Sequence, residues 1–229
     1  MGDDDSDTGR AGDTGRAGET PAAGRRILYV ADPMCSWCWG FAPVIAAIDA
    51  AHGDRAPLRL VVGGLRAGET RAMDDRAKAD VRHHWEQVRE ATGQPFAFDF
   101  FDRDGFVYDT EAACRAVVAV RNLAPAAALG YFTAVQRAFY AEGRDVTRID
   151  TLAAIAERTT GVDGAAFRGV FDAVEIVAAT RADFRLAQAL GVTGFPAVVL
   201  ADAAGFALLT LGYQPFEALR APLEAWMRG

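Results

Sequence analysis

A pair of cysteines, separated by two residues, marks the junction between a short apolar strand and a helix. Cys35-Ser36-Trp37-Cys38 follows the apolar run 27–31 and precedes a segment with apolar residues at helical spacing. Two cysteines at this spacing can close a small disulfide ring and reopen it. At a helix N-terminus, free backbone N–H groups and the positive end of the helix dipole stabilise the thiolate of the first cysteine. The pattern predicts thiol–disulfide chemistry at Cys35 and Cys38.

A second motif lies far along the chain, where Gly194-Phe195-Pro196 precedes the apolar run 197–201. A proline at the first residue of a strand is in a position that suits a cis peptide bond. We therefore expect a cis bond between Phe195 and Pro196. Such a bond would leave the backbone of Phe195 free to pair with an extended substrate chain.

The hydrophobic periodicity predicts a βαβ unit, then a block of helices, then an αββα unit. The predicted strands cover residues 27–31, 58–62, 197–201 and 206–211, and the predicted helices cover residues 36–51, 72–91, 111–122, 126–141, 150–159, 165–173, 174–190 and 215–227. A strand, a helix and a strand in so short a segment form a right-handed unit with parallel strands. The predicted fold class is α/β, with residues 25–65 and 180–229 in one domain and residues 66–179 as an all-helical insertion.

The first 24 residues differ in composition from the rest of the chain. They repeat the unit Asp-Thr-Gly-Arg-Ala-Gly at residues 7–12 and 13–18 and hold no large apolar side chain after Met1. Such a segment cannot offset the entropy lost on ordering, so we expect residues 1–24 to be disordered. They hold six acidic residues and two arginines, and thus much of the net charge of −7. No basic stripe is present elsewhere, so nucleic acid is not an expected partner.

The sequence predicts neither a secretory signal nor a membrane partner. The N-terminal segment is acidic and lacks the apolar stretch of a signal peptide. No apolar run approaches the length of a membrane span. Three cysteines, two of them in a single CxxC, fit a reducing compartment better than a secreted disulfide framework. We expect a cytoplasmic protein.

A zinc site is the main alternative interpretation of the cysteine pair. A structural zinc ion needs two further ligands, and the candidates are Cys114, His52, His83 and His84. None of them forms a second CxxC or an HxxxH pair. We therefore expect neither a metal nor an organic cofactor beyond the redox-active disulfide itself. Cys114 lies on a predicted helix and is expected to be a small buried hydrophobic residue.

Aromatic residues surround the cysteine pair. Trp37 lies between the cysteines, where a fully buried ring would hide Cys35, so we expect partial exposure and, together with Phe195, a substrate-binding surface. Ser36 and Trp37 hold the turn around the thiolate, and we expect them to tune its reduction potential. The aromatic-rich segment 96–108 is interpreted as a lid or a satellite core.

Together these motifs resemble the DsbA-like family of the thioredoxin superfamily. The resemblance covers residues 26–228 and rests on Pro33-Met34-Cys35-Ser36-Trp37-Cys38-Trp39-Gly40-Phe41, on Thr193-Gly194-Phe195-Pro196 and on the segment 108–115, which is similar to the cytoplasmic-type branch of this family. The resemblance implies a thioredoxin fold with Cys35 as nucleophile, Cys38 as resolving thiol and Pro196 as the cis-proline that faces them. It implies a protein disulfide isomerase or reductase whose partners are protein or small-molecule thiols and disulfides.

Two other classes of function stay open at the level of the sequence. Glutathione-dependent transferases or isomerases of the kappa or hydroxychromene-carboxylate type have a similar helical insertion, but they usually carry serine where this chain has Cys35. The second class is a redox-inert binding protein or chaperone that uses the aromatic surface. Such a protein would keep its function after both cysteines were changed to serine.

Overall fold

The computed structural model describes residues 24–228. The described chain forms four strands, β1 (Arg26–Ala31), β2 (Leu58–Val62), β3 (Ala197–Asp202) and β4 (Gly205–Leu211), and eight α-helices, α1 (Ser36–His52), α2 (Asp75–Thr92), α3 (Glu111–Leu123), α4 (Ala128–Tyr140), α5 (Ile149–Thr160), α6 (Gly164–Phe171), α7 (Val174–Ala189) and α8 (Phe216–Arg228). Short 3-10 helices cover Phe98–Asp102 and Pro125–Ala127. The segment expected to be disordered, residues 1–24, lies outside the described residues except for Gly24, and its disorder stays a prediction.

The four strands form one mixed sheet in the order β2-β1-β3-β4. β1 runs parallel to β2, with Tyr29 beside Leu60, and antiparallel to β3, with Tyr29 beside Val198. Because side chains alternate along a strand, Tyr29 faces the larger core cluster, whereas Val30 packs with Ala187 of α7 on the opposite face. The predicted parallel pairing of β1 and β2 and the α/β thioredoxin fold class are confirmed.

Helix α1 packs on one face of the sheet and carries the cysteine pair in its first turn. Phe41, Ile45 and Ile48 lie about one turn apart and are buried, which anchors the helix on the core. The helix continues through Pro43, although an interior proline costs a helix about 3 kcal/mol. Each of the three buried side chains contributes about 1.5–3 kcal/mol, so packing outweighs that cost.

The aromatic segment 96–108 is neither a lid nor a satellite core, which corrects the interpretation from the sequence. Its rings surround the fully buried Trp85 of α2, with the Phe100 and Phe101 ring centroids 5.1 and 4.7 Å from that of Trp85. Phe100 and Phe101 belong to the main core cluster. The sequence could not show this packing, because it depends on a tryptophan from a different helix.

Two helices, α2 and α4, begin two or three residues later than the sequence predicts. The Asp74 carboxylate accepts a hydrogen bond from the Ala77 N–H at 2.8 Å, so α2 begins at Asp75 and not at Ala72. Before α4, the chain first makes the 3-10 turn Pro125–Ala127, as expected for a helix that follows a proline.

The sheet and the helical block share one core. The main cluster of buried residues includes Ile27 and Tyr29 of β1, Val117 of α3 and Phe132 of α4. The division into domains at residues 66 and 180 stays a prediction. In the part of the chain from residue 24 to residue 228, none of the helices combines the length and the apolar character needed to cross a membrane.

Candidate active site

Cys35 lies at the N-cap of α1 in an extended conformation, with φ −97° and ψ 119°. Its N–H donates to the Asp32 carbonyl oxygen at 3.1 Å, and its own carbonyl oxygen accepts a helical hydrogen bond from the Trp39 N–H at 3.1 Å. The N–H groups of the first helical turn have no helical carbonyl to bond. Cys35 thus lies at the positive end of the helix dipole, where a helix leaves backbone N–H groups free.

The peptide bond between Phe195 and Pro196 is cis, as the sequence predicts. The Phe195 carbonyl oxygen is 3.7 Å from the Cys35 Sγ, within reach of a weak S–H···O hydrogen bond. The Phe195 ring packs against the backbone of Gly63, just after β2 ends, so closely that a Cβ at this glycine would overlap the ring. The fold therefore brings the two motifs of the sequence together.

The residues of the cysteine motif differ in burial. Cys35 keeps 6% of its surface exposed, whereas Cys38 is fully buried. Ser36 and Trp37 are partly exposed, as expected for Trp37. The Trp37 ring lies 5.9 Å from the ring of Tyr213, which follows β4. These positions give a partly exposed aromatic surface beside a nearly buried sulfur.

Asp32 is a fully buried carboxyl beside the cysteine pair that was not predicted from the sequence. Its side chain accepts hydrogen bonds from the N–H groups of Met34 at 2.8 Å and Leu65 at 2.7 Å. Burial raises the pKa of Asp32 even though these hydrogen bonds favour its charged form. An acidic residue directly after a buried strand and three residues before the CxxC was the available signal.

The pKa of Cys38 is raised well above its ordinary value, chiefly because the thiol is buried and also because of its neighbours Cys35 and Asp32. A backbone hydrogen bond from Asp32 offsets part of this rise. The two cysteines of the motif thus occupy different environments, since Cys35 lies at the N-cap of α1 with 6% of its surface exposed, whereas Cys38 is fully buried beside an acidic carboxyl.

Cys114 of α3 is fully buried, as the sequence predicts, but it also makes a polar contact. Its Sγ donates a hydrogen bond to the Asp32 Oδ2 at 3.4 Å. Burial and the nearby Asp32 raise the pKa of Cys114 well above its ordinary value. This thiol is therefore held protonated as a donor to the buried carboxyl.

Two tyrosines from the helical block support the loop before Cys35. The Tyr108 hydroxyl donates to the Met34 carbonyl oxygen at 2.8 Å and lies 3.3 Å from the Tyr140 hydroxyl. Burial raises the pKa of Tyr108 above its ordinary value, so its proton is retained. These contacts were not predictable from the sequence, because each joins residues that are distant along the chain.

The candidate zinc ligands are spread over the fold. Cys114 is buried in α3, His52 ends α1, and His83 and His84 are exposed on α2. Over residues 24–228, no group of three or more histidine, cysteine, aspartate or glutamate side chains is arranged to hold a metal ion.

A cysteine pair at a helix N-terminus, facing a cis-proline segment that leads into a central strand of a thioredoxin-like sheet, defines the class of thioredoxin-fold thiol–disulfide oxidoreductases. Residues 26–224 match the family model described as "DSBA-like thioredoxin domain". The chain belongs to this family.

Solved structures with similar folds include a candidate protein disulfide isomerase from Nitrosomonas europaea, 38% identical, with a TM-score of 0.84 over 90% of this chain and 98% of that one. The cytosolic disulfide reductase DsbM from Pseudomonas aeruginosa is 28% identical, with a TM-score of 0.73 over 89% of this chain and 98% of that one. DsbM solved with GSH is also similar, with a TM-score of 0.71 and 27% identity over 89% of this chain and 100% of that one.

Among curated proteins, the ClpXP adapter protein SpxH of Halalkalibacterium halodurans is 24% identical over 174 residues. That alignment covers 73% of this chain and 56% of the relative. This chain therefore spans little more than half the length of the curated relative that it matches.

Proposed function

We propose that this member of the DsbA-like oxidoreductase family is a disulfide reductase or isomerase in which Cys35 is the nucleophile and Cys38 the resolving thiol. The observation that carries the proposal is the placement of the Cys35 Sγ at the N-cap of α1, 3.7 Å from the Phe195 carbonyl oxygen. A thiolate there is stabilised by helix N–H donors and lies beside a backbone segment that can hold a substrate.

The reaction begins when the Cys35 thiolate attacks one sulfur of a substrate disulfide. The substrate S–S bond breaks, one half leaves as a thiolate, and the other half stays bound to Cys35 as a mixed disulfide. Cys38 then loses its proton to solvent and attacks the Cys35 Sγ. The bond from Cys35 to the substrate breaks and the Cys35–Cys38 disulfide forms, so two electrons pass from the enzyme to the substrate.

Isomerisation uses the same first step. A second thiol of the substrate can attack the mixed disulfide before Cys38 does. The substrate then dissociates with a different disulfide, and Cys35 is released as a thiolate, so the enzyme is reduced again. The raised pKa of Cys38 lowers its thiolate fraction near neutral pH and so lengthens the life of the mixed disulfide. The environment of Cys38 allows both reduction and isomerisation. Which of them occurs depends on whether the substrate has a second thiol that attacks the mixed disulfide first.

The surroundings of Cys35 suggest how a substrate is held. We assign the Phe195–Pro196 segment to main-chain pairing with an extended substrate and the rings of Trp37 and Phe195 to apolar contact with its side chains. Ser36 and Trp37 begin the first turn of α1 beside Cys35, and we assign them to tuning the reduction potential of the pair. No metal or organic cofactor enters the reaction.

Two findings on relatives support a reducing, cytoplasmic setting. DsbM is described as a cytosolic disulfide reductase and has been solved with GSH. We propose glutathione as the small thiol that reduces the Cys35–Cys38 disulfide, in two successive thiol–disulfide exchanges that release oxidised glutathione.

The proposal is tested by insulin reduction and by refolding of scrambled ribonuclease, each with glutathione as the source of electrons. The wild-type chain and its Cys114→Ser variant should be active, whereas Cys35→Ser should lose at least about 99% of the activity, because the other two described thiols, Cys38 and Cys114, are fully buried. Equal activity of the wild-type chain and Cys35→Ser would contradict the proposal.

A second candidate function is binding without redox chemistry, which the likeness to the SpxH adapter supports. A holdase or pull-down assay on the Cys35→Ser/Cys38→Ser double variant separates the two functions. Binding that persists in this variant, together with no insulin reduction by the wild-type chain, would favour the adapter. A transferase of the kappa or hydroxychromene-carboxylate type would instead act on a small electrophile with glutathione.

A further inference from the structure

Tyr29 has a buried hydroxyl that the reaction described above does not use. The residue lies in the middle of β1, is fully buried, and directs its side chain to the face of the sheet that α1 covers. Its ring is 5.9 Å from that of Phe41, one turn after Cys38 in α1, and 5.8 Å from that of Phe132. The hydroxyl has no hydrogen-bond partner of normal geometry among the described residues. A buried hydroxyl without a partner costs free energy, so its presence calls for an explanation.

The groups that act on this hydroxyl are the two cysteines of the motif. Burial raises the pKa of Tyr29, and negative charge on Cys38 and then on Cys35 raises it further. A contact with the Cys38 sulfur also favours the protonated hydroxyl. Tyr29 therefore keeps its proton, and toward a Cys38 thiolate, which has no proton to donate, its hydroxyl can act only as a donor.

We propose that the Tyr29 hydroxyl donates a hydrogen bond to the Cys38 thiolate and thereby promotes the resolving step of the reaction. This inference rests on the proposed function. The hydroxyl lacks a well-formed partner while Cys38 is a thiol, and it gains a strong one when the sulfur becomes charged. Such a donor stabilises the Cys38 thiolate more than the Cys38 thiol. Because the thiolate is the form that attacks the mixed disulfide, the donor promotes resolution.

The other groups around Cys38 do not replace this donor. The Asp32 carboxyl and a Cys35 thiolate are acidic, so their charges disfavour a second negative charge at Cys38. The backbone hydrogen bond from Asp32 favours the Cys38 thiolate but leaves its pKa raised. Tyr29 is thus the side-chain donor, within residues 24–228, that approaches Cys38 from β1.

The step balances without a proton transfer from Tyr29. Cys38 releases its proton to solvent, its thiolate attacks the Cys35 Sγ of the mixed disulfide, and the substrate sulfur leaves with the electron pair of the broken bond. The hydrogen bond from Tyr29 weakens as the charge leaves Cys38 and the Cys35–Cys38 disulfide forms. Tyr29 lowers the cost of ionising Cys38 and is itself unchanged.

The test uses the full chain and dithiobis(nitrobenzoate), which releases one coloured thiolate when Cys35 attacks and a second when Cys38 resolves the mixed disulfide. In Tyr29→Phe, the first phase should keep the wild-type rate within about twofold. The second phase should be about tenfold slower near neutral pH, with its pH profile shifted by about one unit to higher pH. Cys38→Ser identifies the second phase by abolishing it.

A matched control separates this role from a structural one. The Tyr131 hydroxyl is also buried, but it donates to the Leu152 carbonyl oxygen at 3.0 Å in the helical block. Tyr131→Phe should lower the melting temperature and leave both kinetic phases unchanged. Tyr29→Phe should have a melting temperature equal to or above that of the wild type, since it removes a hydroxyl without a well-formed partner.

The outcomes distinguish the inference from the function on which it rests. If the wild-type chain resolves the mixed disulfide and Tyr29→Phe shows the same second phase and pH profile, the role of Tyr29 is overturned. A loss of stability in Tyr29→Phe as large as in Tyr131→Phe would also overturn it, by showing that the hydroxyl has a structural partner. If the wild-type chain shows no second phase, the proposed function itself fails.

Discussion

The three cysteines of this chain have different surroundings, which should give them different reactivity. Cys35 keeps 6% of its surface exposed at a helix N-terminus, whereas Cys38 and Cys114 are fully buried and have raised pKa values. We predict that limiting iodoacetamide near neutral pH alkylates Cys35 first in the reduced protein, because the thiolate is the reacting species. Peptide mass spectrometry locates the label. Preferential labelling of Cys38 or Cys114 would contradict the assignment of the nucleophile.

Gly63 controls the position of Phe195. A Cβ at this position would overlap the Phe195 ring, so we predict that Gly63→Ala displaces the Phe195 carbonyl group from Cys35. Insulin reduction should fall about 10- to 100-fold, as expected for a substrate held out of place. The rate of Cys35 alkylation should change little, because the N-cap position of Cys35 does not depend on Gly63.

The matched control for this variant is Gly130→Ala in α4, where an added Cβ meets no atom within 4 Å. Alanine should stabilise that helix by about 0.5–1 kcal/mol and leave activity unchanged. If Gly63→Ala reduces insulin as fast as Gly130→Ala does, contact between Phe195 and the substrate is not needed for the reaction.

Among single residues, those that belong to a local sequence motif were predicted from the sequence. Those whose role depends on a buried environment were not. Cys35, Cys38 and the cis bond before Pro196 follow from local spacing and turn chemistry. Tyr29 and Asp32 could not be assigned, because an apolar strand with one tyrosine and an acidic residue after it are common patterns. Their significance comes from the low-dielectric surroundings that only the fold creates.

Among the elements, β2 forms one edge of the sheet, and an ion pair covers it. The Arg121 guanidinium of α3 donates to the Leu60 carbonyl oxygen at 2.6 Å, and the Asp183 carboxylate of α7 accepts from the Val62 N–H at 3.0 Å. The two side chains also pair with each other at 2.7 Å. They satisfy backbone groups that an edge strand would leave free for another chain.

We predict that Asp183→Asn destabilises the protein by about 3–5 kcal/mol, because it leaves the partly buried Arg121 guanidinium without its counter-charge. Urea unfolding measures this change. The control is Asp150→Asn, which breaks the exposed pair with Arg168 and should cost less than about 1 kcal/mol. Equal effects of the two variants would show that the pair at the β2 edge is no more important than a surface pair.

The elements themselves were largely predictable from the sequence, and the exceptions have physical causes. Strand positions and the parallel pairing of β1 and β2 followed from the apolar runs and the short connection. The start of α2 depends on the cap at Asp74, and the packing of segment 96–108 depends on Trp85 from another helix. Tertiary contacts of this kind have no local signature.

For the molecule as a whole, stability should depend on alkaline pH because six buried thiols and phenols among the described residues have raised pKa values. Burial raises the pKa values of the groups in question, Cys38, Cys114, Tyr29, Tyr108, Tyr131 and Tyr140. In the unfolded chain these groups lose protons from about pH 9 upward, whereas the folded chain retains them. The folded state then binds more protons than the unfolded state, so stability falls as the pH rises.

We predict that urea unfolding of the reduced protein shows a steep loss of stability above about pH 9, by up to about 1.4 kcal/mol per pH unit for each group. Cys114→Ser removes one titrating group and keeps a donor for Asp32. In this variant the free energy of unfolding should fall less steeply with pH, by the contribution of one proton. Stability that does not change between pH 8 and pH 10.5, or identical slopes for the two proteins, would contradict the burial of these groups.

The central claim, a Cys35–Cys38 dithiol that works in the reducing direction, is tested most directly by the reduction potential of the pair. The chain is equilibrated in glutathione redox buffers, and its thiol state is measured by alkylation. We predict one two-electron transition at about −200 to −270 mV, the range of glutaredoxins and thioredoxin, which Cys114→Ser retains and Cys35→Ser abolishes. The absence of a transition, a potential near about −120 mV as in a strong oxidant, or a transition that requires Cys114 would contradict the claim.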